Sequence, residues 1–306
     1  MTEKVLIFQF EESQSQRLDH FLVGHLTEHS RTYLQSLINN GRVKVNGKIA
    51  RKSGMNLEGY QEIEVRIPPI EPSYLVPEDI PLDIIYEDKN VILVNKPAGM
   101  VVHPSSGHKR GTLVHAVLAH DPNIEGVGGV QRPGLIHRLD KNTSGVIVLA
   151  KNDYTHRYIQ EQFKCRKVEK RYVALVDGKP PTPEGRIEAP IGRDPNHRQK
   201  MAIVSQDKGR MAVSEYSTLE AFNEHTLLEV RILTGRTHQI RLHMAFIKCP
   251  VVGDTVYGHR RSTLPISRHF LHAKSLGLSL PDQKDIQVFT APLPIELNQI
   301  LKTLRH

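Results

Sequence analysis

The stretch LIHRLDKNTSGVIVLAK, Leu135 to Lys151, sets a carboxylate, Asp140, between Arg138 and Lys141 and just ahead of an apolar run. An aspartate used as a nucleophile must stay ionised in a site that excludes water. A nearby guanidinium favours the charged form against the cost of desolvation. Taken alone, Asp140 reads equally well as a turn residue bonding the amides that follow it. Arg138 two residues earlier and Thr143-Ser144-Gly145 behind it favour chemistry. A second stretch, TGRTHQIRLHM (Thr234 to Met244), holds Arg236, His238, Arg241 and His243 after a strand and a Gly turn, at the start of a helix. Cations are unfavourable near a helix N-terminus, so a buried carboxylate or a phosphate should face them. A third, EKRYVALVDG, begins a strand at Tyr172. A strand-edge tyrosine is usually packing, but beside a nucleophile it can stack on a base or hold a proton.

Other chemistries find little support. The loop HPSSGHKRGT lacks the GxxxxGK[ST] order of a phosphate cradle, and Ser144 lacks the GxSxG elbow. No HExxH or paired Cys/His spacing appears, so no metal is expected. Two cysteines, Cys165 and Cys249, exclude a disulfide scaffold and fit a reducing compartment. The N-terminus, with Glu3, Glu11 and Glu12 around a short apolar patch, does not read as a signal peptide, and no apolar run approaches the ~18 residues of a membrane span. A cytoplasmic protein is expected.

These groups need elements to position them. VIVLA, bounded by Gly145 and Lys151, reads as a buried strand. DIIYE, NVILVN, KRYVALVDG and HTLLEVRIL read as further strands, and THQIRLHMAFI and PIELNQILKTL as helices. Irregular alternation of this kind argues for α+β rather than a parallel doubly wound sheet. Ahead of them lies a smaller unit. Leu18, Phe21, Leu22, His25 and Leu26 form a helical stripe, Ser30 is an N-cap for RTYLQSLINN, Gly41 closes that helix, and Asn46-Gly47 turns a hairpin between RVKV and KIAR. Pro68 to Pro81 holds five prolines. The chain thus divides into residues 1–70, an extended, semi-rigid linker over 71–81, and a larger unit over 82–306.

The 306 residues carry a net charge of +8, which favours a polyanionic partner, nucleic acid first. Between Arg31 and Lys52 the small unit has six basic residues (Arg31, Arg42, Lys44, Lys48, Arg51, Lys52) and no acidic one. Without Trp and with 6% aromatics, a multi-base stacking platform is not expected.

HRLDKNTSG, with NKPAGMVVHP before it and KRYVALVDG and TGRTHQIRLHM after it, resembles the RluA family of pseudouridine synthases. The small unit resembles the S4 RNA-binding domain, through Arg17 to Asp19, Ser30-Arg31 and the hairpin Gly41 to Lys48. The resemblance implies a catalytic domain with a mixed, mainly antiparallel sheet, preceded by a small α/β S4 domain of two helices and a hairpin. It implies a reaction in which a uridine of RNA is detached from its ribose, turned and rejoined through C5. Asp140 would be the catalytic residue, attacking ribose, attacking uracil or abstracting a ribose proton. Tyr172 would pack on the uracil, Arg241 would pair with Asp140, and Arg138 would enter the space left by the flipped base. RNA contacts would come from Arg236 and His238, and in the S4 unit from Arg17, Ser30, Arg31, Arg42, Lys44, Asn46 and Lys48. No cofactor is implied. The S4 addition resembles members acting on large-subunit rRNA as monomers. The alternatives are the same chemistry on tRNA or another RNA, and a non-catalytic S4-type RNA-binding or ribosome-assembly protein.

Overall fold

The computed structural model describes residues 4–11, 14–27, 29, 31–68, 75–105, 107–129, 132–197, 200–283 and 285–306. It forms two units, Met1–Pro72 and Ser73–His306.

The first unit contains β1 (Lys4–Phe10), β2 (Gln16–Arg17), α1 (Leu18–His25), α2 (Arg31–Asn39), β3 (Val43–Val45), β4 (Lys48–Ile49), β5 (Asn56–Leu57) and β6 (Gln61–Ile67). An antiparallel sheet in the order β1-β6-β3-β4 packs Phe10, Val43, Ile63 and Val65 against Leu18, Leu22, Leu34 and Ile38 of the two helices. The Asn46-Gly47 hairpin is present, both residues at positive φ (49° and 74°), as a two-residue turn of this kind requires. α1 ends at His25, earlier than the span of its stripe. Its orphan amides at Leu18 and Asp19 donate to the carbonyls of Met55 and Ser53. Ser30 and residues 69–74 of the proline-rich stretch lie outside the described residues. In the residues that follow, through Pro81, Glu78 donates its amide to His115 O, and its carboxylate accepts the Gly111 amide. That segment is tied to the larger unit.

The second unit contains β7 (Ile84–Glu87), β8 (Val91–Lys96), α3 (Leu113–His120), β9 (Ser144–Ala150), α4 (Asp153–Lys164), β10 (Glu169–Asp177), β11 (Glu184–Arg193), β12 (Met201–Ile203), β13 (Arg210–Ala221), β14 (His225–Ile232), α5 (Gln239–Phe246), β15 (Leu271–Ser279), β16 (Ile286–Thr290) and α6 (Ile295–Arg305). The strands form one ten-stranded sheet in the order β12-β11-β13-β14-β10-β15-β9-β8-β7, with β16 also on β15. Every pairing is antiparallel except β15 with β9. The fold is α+β. Alternate residues of β9 feed opposite cores: Ile147 and Leu149 meet α3 and α5, while Val146 and Val148 meet α4. All seven β9 residues are buried, which explains a continuous rather than alternating apolar run. α6 covers Val173 and Leu175 of β10 on the α4 side.

The sheet parts at β9. Its pairing with β15 covers only Ser144 and Gly145, after which β15 takes β16 as neighbour over Ser275–Ser279. The freed edge of β9 is taken by the segment before Asp140: Ala150 donates to Gly134 O, Leu135 bridges Leu149, and Val148 N–H donates to His137 Nε2. Gly145 permits the close approach, at φ +116°, because a Cβ there would lie 2.2 Å from Ala273 O. Asp140 stands in the loop of the fork so formed.

Candidate active site

The loop from Asp140 to Gly145 is pinned from three sides. Thr143 N–H donates to Asp140 O, closing the turn. Lys96, fully buried at the end of β8, donates from Nζ to the carbonyls of Pro97 (2.7 Å), Met100 (3.0 Å) and Lys141 (3.2 Å). Burial pushes the Lys96 ammonium down to about 7, Arg268 pushes in the same direction, and Asp140 opposes both. Arg268 binds Asn142 O and Ser144 Oγ, and is anchored by Glu296 at 2.8 Å. Thr143 Oγ1 shares a 2.9 Å hydrogen bond with His269 Nε2, whose imidazole burial and then Arg241 push down to about 4.

The wall opposite comes from the start of α5. Gln239 holds the preceding turn: its Oε1 accepts from Thr234 Oγ1 (2.7 Å) and Arg236 N (3.0 Å), and its Nε2 donates to Val213 O and Ser214 Oγ. His238 is thereby held at φ +58°, an uncommon conformation for a residue with a side chain. Its Nδ1 shares a 2.7 Å bond with the Tyr257 hydroxyl, and that oxygen accepts the Met201 amide at 3.0 Å. This pattern assigns the phenol proton to Nδ1 and the imidazole proton to Nε2, which lies 3.8 Å from Asp140 Oδ2.

Arg241 is the centre of charge. Its Nη1 lies 3.5 Å from Asp140 Oδ2, a long contact. Its Nε and Nη2 grip Asp254 at 2.6 and 2.8 Å, a bidentate pair. Asp254 is 1% exposed and also accepts the amides of Val256 and Tyr257. Burial raises its carboxyl, but the hydrogen bonds and charge of Arg241 together with the Val256 and Tyr257 amides outweigh that and hold it below the usual range. The Tyr257 ring lies 5.0 Å from the guanidinium carbon. So the expected partner of Asp140 is near it, while its principal partner is a residue the sequence did not single out. Asp140 itself is 19% exposed, and its Oδ1 makes no hydrogen bond to a described residue.

Tyr172 is buried in the core facing this site. Burial and then the charge of Asp140 push its phenol well above the ordinary value, so it keeps its proton. Arg138 is exposed and close enough to His238 and His103 to disfavour their protonation. Arg236 lies two residues from His238, at the rim.

In the small unit, several residues expected to touch RNA have work inside the fold. Arg17 and Arg31 both bond the buried Asp19, at 3.0 and 2.7 Å, with Gln35 as a third donor at 2.8 Å. Asn46 Oδ1 accepts the Glu62 amide, and Lys44 pairs with Glu64 at 3.4 Å. Lys48 is exposed on β4, and Arg42 precedes β3. The missed residues, Lys96, Asp254, Tyr257, Arg268 and His269, gave no local signal beyond the NKPAG and GDTVYG turns in which three of them sit.

Residues 90–246 match the RNA pseudouridylate synthase family, and residues 16–63 match the S4 domain. The chain belongs to the RNA pseudouridylate synthase family. It is 48% identical over 291 residues to an RNA pseudouridine synthase of Chloroflexus aurantiacus named as uncharacterised, covering 95% of this chain and 90% of that one. It is 40% identical over 312 residues to the ribosomal large subunit pseudouridine synthase D of Zymomonas mobilis, covering 99% and 98%. The solved structure of human RNA pseudouridylate synthase domain containing 4 matches with a TM-score of 0.58 at 28% identity, over 72% of this chain and 92% of that one. The synthase is therefore an isomerase acting on RNA. Among its described residues no helix is long and apolar enough to cross a membrane.

Proposed function

We propose that this synthase converts uridines of large-subunit ribosomal RNA to pseudouridine, with Asp140 as the group that acts on the flipped-out nucleotide. The observation that carries this reading is the contrast between the two carboxylates at Arg241. Asp254 is sealed and spent on the guanidinium, whereas Asp140 is 19% exposed and its Oδ1 makes no hydrogen bond to a described residue. Arg241, held by Asp254, and His238 Nε2 present positive potential to Oδ2, which favours the ionised form of Asp140 where water is displaced. Tyr172 packs against the uracil, and its retained proton suits it to hold the base edge rather than to act as a resting phenolate. Arg138, exposed and without a hydrogen bond to a described residue, occupies the space the base leaves. Extrusion of the base requires a few kcal/mol that such contacts offset.

The choice of rRNA is supported by the S4 unit and by the name of the Zymomonas mobilis relative. Asp140, Tyr172, Arg241 and Asp254 come from one chain, which supports action as a monomer, and the cytoplasm is the compartment that suits this substrate. The test uses unmodified large-subunit rRNA carrying tritium at uracil C5, because rejoining through C5 expels that hydrogen. Release by wild type and none by Asp140→Ala is expected. Release from tRNA alone would overturn the substrate, and release by Asp140→Ala would overturn the role of the aspartate.

A further inference from the structure

Positive charge continues away from the site along one side. The turn Gly235 to Thr237 that leads into His238, the end of β11 and the turn before β13 enclose an open cleft of about 730 Å³. Among the described residues its charged lining is Arg193, Lys208, Arg210 and Arg236, with Asp207 as the one acid. The end of β11 and the turn before β13 are packed through glycine: a Cβ on Gly192 would lie 2.6 Å from Lys208 O, and one on Gly209 2.6 Å from Val204 Cγ2. Lys208 and Arg210, both exposed, are thus carried on a tightly packed hairpin.

Arg236 is half-buried, and its Nε donates to Met211 O. Burial, then repulsion from Arg210 and Arg166, disfavours its charge. Arg166 acts in the same way on Lys170, which is buried with Nζ 5.5 Å from the Phe163 ring centre. Lys170 precedes Tyr172 by two residues on β10. The cations Lys170, Arg166, Arg236, Arg210 and Lys208 therefore form a row from beside Tyr172 to the far end of the cleft. None of the five forms an ion pair with a described carboxylate. A solvated basic rim would leave its cations extended in water. Here two are withdrawn from water beside like charges, an arrangement that an anion relieves.

We propose that this row takes the phosphodiester backbone of the nucleotides flanking the target uridine, with one phosphate at Lys170, Arg166 and Arg236, the next at Arg210 and the next at Lys208. The proposal rests on the reading of Asp140 as the reacting site, since it places the backbone next to that residue. The test is the salt dependence of binding of a single-stranded rRNA fragment to the full chain, read without turnover. Each phosphate contact in a single strand contributes about 0.7 to the slope of log affinity against log salt, so Lys208→Ala/Arg210→Ala should lower that slope by about 1.4. Affinity at low salt should fall roughly tenfold. Lys179→Ala/Lys302→Ala removes the same charge from exposed sites elsewhere and should change neither. Equal slopes in the two double variants would overturn the proposal. If the hairpin double variant fails to fold, Lys208→Gln alone should lower the slope by about 0.7, and no change would count equally against it. Tritium release with an unchanged slope would reject the row and keep the reaction. A lowered slope without release from any RNA would reject the reaction and keep the row.

Discussion

Replacing Asp254 by Asn removes one charge from a buried pair while keeping its shape. Two charge-assisted bonds to Arg241, at 2.6 and 2.8 Å, become at best one bond from the guanidinium to a neutral oxygen and one clash of donors. A hydrogen bond to a charged group contributes about 1.5–3 kcal/mol, so losing one of the two amounts to about 2–3 kcal/mol. For a unit of this size that corresponds to a Tm lower by roughly 5–10 °C. Asp140→Asn removes a single 3.5 Å contact from a partly exposed carboxylate and should cost less than about 1 kcal/mol. Activity should follow the opposite order. Asp140→Asn should abolish tritium release. In Asp254→Asn the freed guanidinium turns toward Asp140, displacing it by part of an ångström and lowering the rate by up to about 10²-fold. Thermal unfolding and tritium release on the same preparations test both orders. A stability loss in Asp140→Asn equal to that in Asp254→Asn would refute the claim that Asp254 holds Arg241.

Three further outcomes are expected. Gly145→Ala places a Cβ against Ala273 O and should destabilise by about 3 kcal/mol or more, with urea midpoint and soluble yield as the readout; near-wild-type stability would show that β9 and β15 can separate freely. His137 accepts the Val148 amide and burial pushes its imidazole down to about 3, so it stays neutral in the fold while the unfolded chain protonates near 6.5. Its contribution to stability is therefore present above about 6.5 and lost as pH falls toward 3, and His137→Leu should make urea midpoints fall less steeply across that window. Asp19→Ala leaves Arg17 and Arg31 without their buried partner and should open the first unit to limited proteolysis while the second stays resistant; unaltered digestion would mean those arginines are free to serve RNA.

Local pattern carried the elements well where one residue type decides geometry. Asn46-Gly47 needs two positive φ values and gives a hairpin; VIVLA is apolar on both faces because cores lie on both sides of β9. Strands β11 and β13 were less legible, because alternations such as Arg186-Ile187-Glu188 put cross-strand ion pairs on an open face and look like a polar loop. At the site, Asp140, Tyr172, Arg241 and His238 are drawn together as their motifs suggested. Asp254 was hidden for a physical reason. It belongs to the site only because the chain between α5 and β15 folds back under Arg241, a contact that no local periodicity encodes. The same holds for Arg17 and Arg31, which read as surface cations until Asp19 is found buried between them.

The parting of β9 from β15 also bears on rates. Each strand edge at the fork already has a hydrogen-bonded neighbour, β16 on one side and Gly134 to His137 on the other, so admitting a nucleotide breaks no ladder. Association should then be limited by the RNA's own unstacking rather than by an opening step of the protein, and it should speed up for uridines already unpaired or mismatched while staying insensitive to mild stabilisation of the sheet.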